Sequence, residues 1–138
     1  MSLELEIKER FRFYKLSWEE KSRVLEKLRE EISKHEEILL AVVYGSFLKN
    51  YPFRDIDIAV YVKGEVDSLN YKFTLDEELT EKLSYPIDTR VLNDAPPWFT
   101  RKVLMKGKVI VEKIPLLLER LLLKAIDEEQ HLRENTSY

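Results

Sequence analysis

Residues 38–62 read ILLAVVYGSFLKNYPFRDIDIAVYV, and their pattern decides the fold. Ile38 to Tyr44 is an unbroken apolar run that stops at Gly45-Ser46, the signature of a strand buried on both faces. From Asp55 to Val62 the pattern changes to strict alternation. Ile56, Ile58, Val60 and Val62 fall on one side of a strand, with Asp55, Asp57, Ala59 and Tyr61 on the other. Two carboxylates at i and i+2 on a strand point the same way and repel each other, an arrangement that is comfortable only around a cation. Their hard oxygens suit Mg²⁺ or Mn²⁺, ions that keep several waters and bind substrate phosphates. Glycine at the end of the preceding strand lets backbone approach an anion, and the amides that follow supply dipoles for it. A Gly-Ser turn beside an Asp-x-Asp strand therefore places phosphates over a metal site.

Outward from this centre, helices and strands alternate. Ser17-Trp18-Glu19-Glu20 forms a capping box that opens a helix through about Lys34, with Val24, Leu25, Leu28 and Ile32 on one face. Residues 67–84 read as a helix with Tyr71, Leu75, Leu79 and Leu83 four apart. Pro86 to Leu92 is a third strand. Asp94 precedes Pro96-Pro97 as a cap, and the next helix uses Phe99, Val103 and Leu104 before stopping at Gly107. Lys108 to Glu112 makes a short last strand, and a Leu-rich amphipathic helix runs from Pro115 to about Arg133. Residues 3–13 alternate weakly and suggest an extended segment. The expected fold is α/β (α+β): a small mixed β-sheet flanked by helices, one domain over residues 1–138 with its catalytic core at about 38–112.

Composition narrows the function classes. The chain has 138 residues, 44% of them hydrophobic and 36% charged, which suits one soluble globular core. A net charge of -3 argues against a protein built to grip nucleic acid. There is no cysteine, which removes disulfides, thiolate metal sites and cysteine nucleophiles and fits a reducing cytoplasm. The N-terminal stretch MSLELEIKERF carries acids where a secretory signal needs base and apolar residues, and no apolar run is long enough to span a bilayer. Lys and Glu dominate the charge and Gln130 is the single glutamine, a profile common in heat-adapted proteins.

The segments VVYGSFLKNYPFRDIDIAVYV and PIDTRVLNDAPPWFTRKVLMKGKVIVE resemble the minimal nucleotidyltransferase family of the DNA polymerase β superfamily. The resemblance implies that Gly45 and Ser46 contact nucleotide phosphates and that Asp55 and Asp57 bind two divalent ions. It makes Asp88, inside the third strand, the acid that completes the metal site and helps deprotonate the acceptor hydroxyl. Asp94 competes for that role but reads first as a helix cap. Departures from the family pattern lie in the loop: it is about two residues shorter than usual. Asn50 stands where glycine is frequent, Lys49 where arginine is, and Arg54 where a small hydroxyl residue is. Lys49 remains a candidate phosphate contact.

The resemblance also implies a reaction and a partner. The reaction is in-line attack of a hydroxyl on the α-phosphate of a nucleoside triphosphate, releasing pyrophosphate. Stand-alone members pair with HEPN proteins as antitoxins that adenylylate a tyrosine of the toxin, so ATP and a HEPN-type partner are the expectation. Two alternatives stay open: a small-molecule nucleotidyltransferase of the aminoglycoside-modifying kind, and a non-enzymatic module that binds a partner. The first is disfavoured because no acceptor domain follows the core. Arg29 and His35 mimic a HEPN ribonuclease pair but lie six apart, on different helix faces. His131 reads as exposed. The leucines after Pro115 exceed one buried face, which leaves room for an oligomer or partner contact through that helix.

Overall fold

The computed structural model of the chain describes residues 12–136. Helix α1 (Trp18–Ser33) begins where the capping box puts it: the Ser17 hydroxyl accepts from the Glu20 amide, and the Glu20 carboxylate accepts from the Ser17 amide. Strand β1 (Ile38–Tyr44) follows, and a 3₁₀ turn (Gly45–Leu48) closes it. Strand β2 covers Ile56–Val62, helix α2 Ser68–Leu83 and strand β3 Ile87–Val91. A second 3₁₀ turn (Leu92–Asp94) leads to helix α3 (Pro97–Lys106), strand β4 (Lys108–Glu112) and helix α4 (Leu117–Thr136). The sheet order is β3-β2-β1-β4, with β1 antiparallel to both neighbours and β3 parallel to β2. This is the expected mixed sheet flanked by helices.

The alternation of β2 sorts its residues onto two cores. Ile56, Ile58, Val60 and Val62 join Leu28 and Ile32 of α1 and Leu75, Leu79 and Leu83 of α2 in the larger one. Each fully buried side chain of this size contributes about 1.5–3 kcal/mol by leaving water. On the other face Leu40, Val42 and Ala59 pack against Val103 and Leu104 of α3 and Leu117 of α4. Gly107 makes that second contact close, since a Cβ there would lie 2.3 Å from Val42 Cγ1. Arg101 of α3 and Glu129 of α4 tie the two helices together at 2.5 Å.

Three expectations are corrected in detail. The regular strand starts at Ile56, so Asp55 sits in the bend just before it. Asp94 does not cap α3; the N-cap is Pro96, with no side-chain cap bond. Prolines at 96 and 97 carry no amide hydrogen to satisfy, and Asp94 instead accepts from the Ser68 hydroxyl at 2.8 Å. Helix α4 runs past Arg133 to Thr136. Of the extended segment expected at 3–13, residues 3–11 lie outside the described residues. Tyr14 forms an isolated antiparallel bridge with Phe53.

Candidate active site

Pairing register, set by the strands, gathers the acids. Asp57 lies opposite Tyr44 on one side and opposite Asp88 on the other, in the parallel β2–β3 pair. Asp55, one step before the strand, turns to the same place. Asp55, Asp57 and Asp88 each offer a carboxylate oxygen, and these atoms all lie within 4.8 Å of one another. All three are half-buried. Such a cluster of hard oxygens could hold a divalent cation.

The three acids act on one another's charge. Burial, and then the charges of Asp55 and Asp88, push the Asp57 carboxyl up to about 7, against the pull of Arg90 and Lys72. Burial and Asp88 likewise raise Asp55, with Arg54 and Lys72 opposing. Tyr44, next to the cluster, is raised by burial and then by the Asp57 charge, and its ring meets Phe99 edge-on at 5.7 Å.

Gly45 abuts the acids. Its φ is +80°, which favours glycine, and a Cβ there would stand 2.4 Å from Asp57 Oδ2. Beyond it opens a cavity of about 700 Å³ lined by Tyr44, Gly45, Lys49, Phe99, Lys102 and Lys106. Ser46 belongs to the turn without lining that cavity. A second, shallower groove of about 600 Å³ lies beside Lys72, Arg90, Asp94 and Trp98. Trp98 and Phe99 line both, so the two spaces flank one aromatic pair.

The sequence reading missed several residues here. Lys72 of α2 reaches Asp88 Oδ1 at 2.5 Å and Asp76 Oδ2 at 2.9 Å. Burial opposes its charge, but the bonds to Asp88 and Asp76 prevail and its pKa is raised. Asp76 also accepts the Thr89 amide at 2.7 Å, so one carboxylate anchors both β3 and the lysine beside Asp88. Lys102 and Lys106, one turn apart on α3, add to the positive rim. A signal existed for these: cations at i and i+4 on a helix share a face. Locally Lys72 shows only an i,i+4 pair with Asp76; its bond to Asp88, 16 residues away, had no local mark. Arg29 and His35 stay apart, as expected: Arg29 pairs with Glu26, and His35 with Glu78 and Glu37. His131 is exposed on α4.

Comparison with known proteins gives the chain a family. The profile of the family described as polymerase beta nucleotidyltransferase matches residues 26–115. The chain belongs to that family. It resembles a chain in the solved complex of tri-AMPylated Shewanella oneidensis HEPN toxin with MNT antitoxin. That match has a TM-score of 0.68 and 22% identity, covering 83% of this chain and 91% of that one. A chain of the MntA–HepT toxin–antitoxin structure matches with TM-score 0.62 and 23% identity, covering 86% and 92%. A toxin–antitoxin structure with AMP-PNP matches with TM-score 0.63 and 23% identity, covering 83% and 90%. No curated protein matches the sequence. Among the described residues, no helix is long and apolar enough to cross a membrane.

Proposed function

We propose that this single-domain nucleotidyltransferase moves AMP from ATP to a hydroxyl of a HEPN-type partner protein, as the antitoxin of a two-protein pair in the cytoplasm. The observation that carries the reading is the convergence of Asp55, Asp57 and Asp88 beside the Gly45 turn. The solved relatives that hold a modified HEPN toxin or AMP-PNP support the choice of donor and acceptor.

Asp55, Asp57 and Asp88 would hold two Mg²⁺ ions, with Mn²⁺ as a substitute; burial and the neighbouring carboxylate charges raise the proton affinity of Asp55 and Asp57, a state that a divalent ion relieves. When bound, the ions supply acidity to the acceptor hydroxyl and neutralise charge on the leaving pyrophosphate. Gly45 would meet the phosphates where the turn opens on the cavity, with Ser46 next along the turn, and Lys49, Lys102 and Lys106 surround that cavity with positive charge. In-line displacement needs the nucleophile opposite the leaving group. With pyrophosphate on the Gly45 side, the acceptor approaches from the groove beside Lys72, Arg90 and Trp98, and Asp88, bonded to Lys72 at its edge, would take the proton. The acceptor oxygen bonds to the α-phosphorus as the α–β phosphoanhydride bond breaks.

Intact-mass analysis of the purified protein with a HEPN-type protein, Mg²⁺ and each nucleoside triphosphate in turn tests this. A gain of one or more AMP masses on the partner with ATP is expected, and none in EDTA. An unmodified partner, or transfer to an aminoglycoside instead, would overturn the assignment.

A further inference from the structure

Lys21 is the anomaly of helix α1. It falls on the stripe otherwise made by Val24, Leu25, Leu28 and Ile32, and its side chain is buried with them, at 3% exposure. Its ammonium donates to the Lys49 carbonyl at 2.8 Å. The rings of Trp18, Phe47 and Phe53 surround it at 4.8, 5.3 and 5.5 Å from their centroids. None of the ion pairs among the described residues involves it.

An ammonium withdrawn from water without a carboxylate is costly, and aromatic faces offset only part of that cost. A methionine would fill the same space at no such cost. The three contacts explain what the charge is placed against. Phe47 lies inside the turn Gly45–Leu48, Lys49 closes that turn by donating its backbone N–H to the Ser46 carbonyl, and Phe53 lies in the loop that delivers Asp55. The lysine thus grips the whole segment between the Gly-Ser turn and the Asp pair from behind. The cavity lined by Gly45 and Lys49 opens on the same turn.

We infer that Lys21 is a positioning residue for phosphate binding: its buried charge fixes the Gly45–Lys49 turn, and the polyphosphate of the nucleotide supplies the anion that the fold withholds. The inference rests on the nucleotidyl-transfer reading of the site.

The test compares wild type with Lys21→Met and Lys21→Arg, using melting without ligand, Mn²⁺ binding by electron paramagnetic resonance, and calorimetry with Mg·ATP and Mg·tripolyphosphate. Lys21→Met is expected to melt at or near the wild-type temperature and to bind Mn²⁺ equally. It should bind Mg·ATP and Mg·tripolyphosphate about tenfold more weakly, a coupling of ordinary size between neighbouring sites. Its KM for ATP should rise by more than its kcat falls, and Lys21→Arg should recover part of the affinity. Unchanged tripolyphosphate affinity in Lys21→Met overturns the inference. So does a variant that melts far below wild type or fails to fold, because the lysine then serves packing. If the wild type itself binds no nucleotide, the transferase reading fails first; binding by wild type with no loss in Lys21→Met defeats only the role of Lys21.

Discussion

On strand β2, Ile56, Ile58 and Val60 face α1 and α2 and are closed from solvent, whereas Asp57 faces the side that α3 covers only in part. Adjacent residues of one strand therefore do opposite work. On the closed face every side chain adds apolar burial. On the open face a half-buried carboxylate is held beside two others, at the expense of stability, in a cluster that could hold a cation. The sheet separates the two tasks because its side chains alternate, and a change on one side should leave the other's readout nearly intact.

Asp57→Asn should give the largest effect and the clearest contrast. Transfer should fall about 1000-fold, roughly 4 kcal/mol in the barrier, in a labelled-ATP assay, with circular dichroism unchanged. Stability should move the other way. With a folded pKa of about 7 against an ordinary 3.8, the folded protein holds more protons than the unfolded one between those values. Metal-free stability therefore falls as pH rises from about 4 through 7. Asp57→Asn should flatten that part of the melting profile, and Mg²⁺ should restore wild-type stability at pH 8. A variant that loses stability and keeps transfer would break the comparison.

Ile58→Ala probes the closed face. The side chain is fully buried, and its truncation should cost about 3 kcal/mol in urea unfolding, while the folded fraction keeps wild-type KM and kcat. Gly45→Ala sits where the faces meet. A positive φ and a Cβ pressed on the Asp57 carboxylate should cost about 2 kcal/mol, shared between lower Tm and a higher KM for ATP. The smallest effect belongs to the rim. Lys102→Ala and Lys106→Ala should each weaken Mg·ATP binding by up to about fivefold, more at low salt, without touching Tm.

Much of this centre was legible before any fold was known. Gly45 stops the apolar run, and the alternation of Asp55–Val62 puts Asp57 opposite the isoleucines; both are local patterns that survive any packing. The capping box likewise placed the start of α1. Asp94 was misread because a cap was inferred from spacing alone, while Ser68, 26 residues away, claims its carboxylate. Lys21 carried a faint mark, a cation on an apolar stripe, yet a stripe position does not say that the amine is buried.

By itself, the sequence determined which segments are strands and helices and which residues carry oxygen donors, because periodicity and turn chemistry act over a few residues. Only the tertiary structure decided that Asp88 stands beside Asp57, that Lys72 restrains it, and that Lys21 lies beneath the turn. Those are pairings across parallel strands and between separate helices, and their partners are chosen by how buried faces fit together, which no local pattern encodes.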